Sequence, residues 1–165
     1  MFRTISFSAV VVILSLVAGG QAQFAAASQN PANADRVTSE EFKKLMRTIA
    51  EGWNEGNAKK AADCYSADAI YSAPPGSKNR KGREVLFESF GGDKGREAPM
   101  NMNWHHLAFD EESQIGFGEY TFRYKDYQAH GIVAARVRHR KIGNWREYEV
   151  PSKLSWQPFV GANNF

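Results

Sequence analysis

Apolar residues recur at helical spacing from Phe42 to Trp53, with Leu45, Met46, Ile49 and Ala50 between them on the same face. Thr38 and Glu41 stand ahead of this run at capping-box spacing, so the pattern predicts a helix over roughly 38–55. "NEGN" ends it, and Asn57 can cap a short second helix that runs to about Tyr65. "AIYSA" reads as a brief strand, followed by the Pro-Gly turn of "IYSAPPGSKNRKG". "REVLFESF" reads as a third helix with Val85, Leu86 and Phe90 inward, stopped by Gly91 and Gly92. Beyond the charged loop "GGDKGREAP" the periodicity changes to long β segments at about 100–109, 114–125, 129–139 and 144–150. "DEES", "KDYQ" and "KIGN" are short enough to be hairpin turns, which makes neighbouring strands antiparallel. Helices first and a meander afterwards predict an α+β plan: three N-terminal helices packed on a curved antiparallel sheet, with a pocket between the layers.

The first 37 residues follow neither period. Arg3 precedes an apolar run from Ile5 to Ala18, and Gly20, Gln21 and Ala22 supply a small-residue cleavage site, so residues 1–22 read as a secretory signal peptide. The run is about 14 residues, short of the roughly 20 that span a bilayer, so no stable membrane insertion is expected after its removal. Residues 23–37 are small and polar and read as a flexible leader, residues 38–150 as the domain, and 151–165 as a tail. Leu154, Trp156 and Phe159 give that tail apolar anchors for docking on the domain or lidding its mouth. The protein is expected to be exported, to a periplasm or outside the cell.

Composition narrows the classes further. The 165 residues are 42% hydrophobic and 24% charged, enough for a single domain with its own core. Loss of Arg3 with the signal lowers the net charge from +3 to +2, too small a bias for a nucleic-acid partner. The basic run "RVRHRK" at 136–141 alternates faces along a strand and reads as a solvated or subunit-contact surface. Cys64 is the only cysteine, so no internal disulfide forms, and "AADCY" suggests a buried, inert thiol. His105 and His106 are adjacent in a strand and point to opposite faces, and His130 and His139 lie nine apart, so no metal site and no cofactor are expected.

"WNEGNAKKAADCYSADAIYSAPPG", "GEYTF" and above all "NWREYEV" resemble the SnoaL-like branch of the nuclear transport factor 2-like (NTF2-like) superfamily. The resemblance covers about 38–150 and implies a cone-shaped barrel with a hydrophobic pocket between the helices and the concave sheet. It also implies a homodimer through the outer sheet face. Against its ketosteroid isomerases, Ala73 stands where the general-base aspartate precedes the Pro-x-Gly turn, Ile49 where the oxyanion-stabilising tyrosine stands, and Ala134 or Ala135 where the partner aspartate stands. That mechanism therefore lacks its groups. Against its epoxide hydrolases, Tyr71 and Glu147 match, whereas Glu119 and Thr121 replace the arginine and aspartate of the catalytic trio.

Strand parity puts Phe117, Glu119 and Thr121 on one face and Trp145, Glu147 and Glu149 on one face. The family geometry turns both sets inward. On that reading Glu147 and Glu119 are a titrating pair whose pKa values are driven apart, with His106 as proton partner. Tyr71, Trp104, Thr121 and Trp145 would orient the ligand, and Trp53 completes the apolar face of the first helix. Three functions remain open: binding of a small, mostly apolar organic molecule, cofactor-independent acid/base catalysis by Glu147 and Glu119, and a structural or assembly role.

Overall fold

Thr38 caps the first helix as its spacing predicts: its side chain accepts the Glu41 amide and the Glu41 carboxylate accepts the Thr38 amide. The computed structural model describes residues 34–74, 79–98 and 100–163. Helix α1 spans Ser39–Asn54 and buries Phe42, Met46, Ile49, Ala50 and Trp53. Helix α2 is Ala58–Ala62, capped by the Asn57 side chain. It ends three residues short of the expected limit, because Tyr65 opens strand β1, Tyr65–Ser72. Strand β2 is the pair Arg80–Lys81, and helix α3 is Arg83–Ser89. Leu86 and Phe90 are buried as expected, but Val85 is 49% exposed.

The four long strands are β3, Met100–Asp110; β4, Ile115–Tyr124; β5, Tyr127–Arg138; and β6, Lys141–Pro151. Together with β1 and β2 they form one curved six-stranded sheet in the order β2-β1-β6-β5-β4-β3. The meander is antiparallel, while β1 runs parallel to β6, placing Tyr71 beside Trp145. The last hairpin turns at His139 and Arg140, both at positive φ, so "KIGN" lies within β6 rather than in the turn.

The inner face of β4 carries Gly116, Gly118, Tyr120 and Phe122, and its outer face Phe117, Glu119 and Thr121. This is a correction: the family geometry had turned the second set inward. The reason is steric. A Cβ at Gly116 would stand 2.2 Å from Phe42 Cζ, and one at Gly118 would stand 2.5 Å from Trp104 Cζ3. Helix α1 and β3 can close on the sheet only over these two glycines, so the opposite parity would drive Phe117 and Glu119 into the core. Phe117 is instead 48% exposed.

A β-bulge between Trp104 and His106 breaks the alternation of β3. Met102 and Trp104 lie inward before it and Leu107 and Phe109 after it, packed on the core. His105 and His106 therefore share the outer face: His105 reaches Thr121 and His106 reaches Glu119, two residues apart on one side of β4. The expectation that their rings point to opposite faces fails at this extra residue.

Both ends of the domain are tied to it. Signal residues 1–22 and leader residues 23–33 lie outside the described residues. Residues 34–37 do not behave as a free leader: Val37 is buried, and its amide donates to Gln114 Oε1 at 2.9 Å. At the other end, helix α4, Trp156–Val160, docks on the outer sheet face. Trp156 stacks on His105 with centroids 4.0 Å apart, and Phe159 packs on His130 at 4.3 Å.

Candidate functional site

Aromatic side chains fill the deep end of the cone. Trp145 stacks on Tyr71 at 5.7 Å and meets Trp53 and Trp104 edge to face. Trp104 gives its Nε1 proton to the Met46 carbonyl at 2.9 Å, which ties β3 to α1. Trp145 and Trp104 are thus core residues, and neither lines the open space. A cavity of ≈ 200 Å³ remains between the ends of α1 and α3 and the inner face of the sheet. Trp53, Phe90, Met100 and Phe122 form its apolar wall. Tyr71, Tyr120, Glu147 and Glu149 form the polar side, and Arg80, Ser89, Arg96 and Tyr124 complete the lining.

Glu147 is the centre of the polar side and is only 8% exposed. Its Oε1 accepts the Tyr71 hydroxyl at 2.6 Å, and its Oε2 accepts the Trp145 indole at 2.9 Å. Tyr120 approaches Oε2 at 3.5 Å and donates to Glu149 at 3.1 Å, where Tyr127 also donates at 3.1 Å. Burial pushes the Glu147 carboxyl up to about 6 against the pull of the Tyr71 and Trp145 hydrogen bonds. Burial and the Glu147 carboxylate also hold the Tyr71 and Tyr120 hydroxyls far above their ordinary range. The tyrosines are therefore fixed donors, and the carboxyl is the group able to exchange a proton near neutrality.

The other expected site residues lie elsewhere. Glu119 and His106 pair on the outer face, with Oε2 and Nδ1 2.8 Å apart. Thr121 is buried there too, hydrogen-bonded to His105 Nε2 at 2.7 Å and to His130 Nδ1 at 2.9 Å beneath α4. The sheet thus separates Glu119 from Glu147, and the two do not form a pair across one cavity. Of the expected set, Tyr71 and Glu147 line the cavity, and Trp145 supports Glu147 from the core. Tyr120, Arg80, Arg96 and Glu149 are added. Gly116 and Gly118 signal the Tyr120 parity in the sequence, as the small residues of the side that something else must cover. No local pattern signals Arg80.

Cys64 is buried in the helical layer, and burial pushes its thiol up to about 11, so it is a poor nucleophile. Among the described residues, no three His, Cys, Asp or Glu side chains converge as a metal site. No described helix is long and apolar enough to cross a membrane.

No family model matches the chain, and no curated protein does. Solved structures do match. An NTF-2 like protein of unknown function from Burkholderia xenovorans superposes with a TM-score of 0.59 at 16% identity, over 73% of this chain and 91% of that one. An LEH-like epoxide hydrolase of M. tuberculosis gives 0.57 at 14% identity, over 67% and 79%. The epoxide hydrolase/cyclase-like enzyme SalBIII, of pyran ring formation in the polyether salinomycin, gives 0.55 at 15% identity, over 67% and 92%.

Proposed function

Because the chain has the NTF2-like α+β fold with a cavity inside its cone, we propose that it binds a small, mostly apolar organic molecule there. The observation that carries this reading is the ≈ 200 Å³ space itself, with aromatic walls on one side and a buried, hydrogen-bonded carboxyl on the other. Such a mixture is the usual composition of a small-ligand site, and the volume lies below the roughly 300 to 1,000 Å³ of drug-sized pockets. The ligand is accordingly compact, on the scale of one ring.

The test is a titration of the purified domain with single-ring aromatic compounds, followed by NMR. Shifts that centre on Trp53, Tyr71 and Met100 support the reading. Shifts confined to other surfaces, or none at millimolar concentration, overturn it.

A second reading, cofactor-independent acid/base turnover, is favoured by the place of Glu147 in the cavity wall, where burial pushes its carboxyl up to about 6. The fold is shared with an epoxide hydrolase and a cyclase-like enzyme, whose activities are their own. In this reading Glu147 moves the proton alone, with Tyr71 and Tyr120 holding it in place. Glu119 and His106 take no part. Replacing Glu147 by Gln then abolishes turnover of any substrate found while leaving affinity for a neutral ligand.

The proposal includes export of the mature domain, on the signal pattern of residues 1–22, and a homodimer through the outer sheet face. Phe117, Ile132 and Tyr148 are 48%, 43% and 48% exposed there, on adjacent strands. Tyr148→Arg is expected to shift the species seen by light scattering from dimer to monomer.

A further inference from the structure

The lining of the cavity has a surplus of hydrogen-bond donors. Its two carboxylates are both engaged: Glu147 accepts from Tyr71 and Trp145, and Glu149 accepts from Tyr120 and Tyr127. The Ser89 hydroxyl is likewise committed, to the Leu86 carbonyl at 2.9 Å. On the donor side, Arg96 gives Nε to the Phe90 carbonyl at 3.2 Å and Nη2 to the Ser89 carbonyl, and its Nη1 has no acceptor among the described residues. Arg80 is half-buried in β2, with its Cζ 5.4 Å from the centroid of the Tyr71 ring. It lines the cavity and makes no hydrogen bond or ion pair among the described residues, so its guanidinium N–H groups are uncommitted. Trp53, in the apolar wall, adds a buried indole N–H without an acceptor among the described residues.

A partly desolvated guanidinium that no carboxylate of the chain pairs with directly calls for an acceptor from outside the chain. We infer that the ligand of this cavity is a monocarboxylate, its carboxylate taken by the planar fork of Arg80 and its apolar body laid against Trp53, Phe90 and Phe122. The inference rests on the ligand-binding reading above and narrows it to one chemical class. A carboxylate matches the guanidinium fork two bonds at a time, whereas a neutral carbonyl answers one N–H. A dianionic phosphate fits less well, because Glu147 and Glu149 line the same ≈ 200 Å³ and would repel the second charge. Arg80 also stands close enough to Glu147 to act on its charge, so the anion would bind in the same lining as the group able to supply a proton.

Cinnamate and cinnamamide test this, being of one size and shape and differing in charge. Calorimetric titration of the wild-type domain at pH 7.5 and low salt is expected to give cinnamate at least about tenfold the affinity of cinnamamide. Arg80→Gln should remove that advantage and leave the amide within about twofold of its wild-type affinity, while Arg80→Lys should retain part of it. Equal binding of the two probes by the wild type overturns the carboxylate assignment and leaves the cavity as a ligand site. Equal losses of both probes in Arg80→Gln overturn it as well. Binding of neither probe at millimolar concentration removes the ligand-site reading and this inference together. The wild-type comparison needs no variant to fold.

Discussion

The Tyr71 hydroxyl lies 2.6 Å from Oε1 of Glu147, a hydrogen bond from β1 to β6 between residues 76 positions apart. Both groups are largely buried, so the bond is made where water is a poor substitute for either partner. Tyr71→Phe leaves the carboxyl with one donor fewer and is expected to cost about 1 to 3 kcal/mol in denaturant unfolding. Because that bond lowers the Glu147 pKa, the variant should also move it further above about 6, as carboxyl ¹³C shifts across a pH series would show.

Glu147 makes stability depend on pH in a direction opposite to that of most carboxylates. Its folded pKa, about 6, lies above the ordinary 4.5, so between these values the folded state holds the proton more tightly than the unfolded chain. Stability relative to Glu147→Gln should therefore fall as pH rises through that window and level off above it. The total change is about 2 kcal/mol, the equivalent of moving the group from 4.5 to about 6. Urea unfolding of both proteins from pH 4 to pH 8 gives the comparison, and a constant difference would remove Glu147 as the titrating group.

Gly116 decides how closely α1 can approach the sheet. Gly116→Ala puts a methyl group against Phe42, a ring with no exposure that is already stacked on Phe109 at 4.5 Å and cannot turn aside. A loss of about 1 to 3 kcal/mol is expected in thermal or denaturant unfolding.

The docking of α4 should be sensitive to acid. The Leu154 carbonyl fixes the proton order of the chain beneath it: His130 donates Nε2–H to that carbonyl at 3.0 Å and accepts the Thr121 hydroxyl at Nδ1. Thr121 in turn accepts from His105, whose pKa is lowered by burial and then by His130, with His106 and Arg123 acting the same way and Glu119 against them. A histidine with a lowered folded pKa supports the folded arrangement above its unfolded value and loses that support as pH falls through its folded one. Amide exchange, corrected for its intrinsic pH dependence, should accelerate in residues 152–160 as pH falls below about 6.5, before the core amides respond. His105→Phe should keep the stack with Trp156 and flatten this response.

The order of three helices before four long strands, the capped first helix, the antiparallel meander and the shared face of Trp145, Glu147 and Glu149 could all be read from the sequence. Those features are local: a period of 3.6 or 2, a capping box, or a turn long enough only for a hairpin. Even the choice of Tyr71 and Glu147 as cavity groups was legible, through the resemblance of their flanking segments to a known family.

Tertiary structure alone decided which side of β4 meets the helices. Alternation fixes that Glu119 and Thr121 share a face but says nothing of which face, and a slip of one residue exchanges the two. Phe42 and Trp104 settled it by closing over Gly116 and Gly118, contacts between residues 74 and 14 positions apart. The bulge at His105 then put two adjacent histidines on one side, against the parity of a regular strand. Arg80 reached the cavity because β1 pairs with β2 and places its guanidinium over Tyr71. Faces, bulges and cross-strand partners are consequences of packing, and packing joins residues whose separation leaves no period in the sequence.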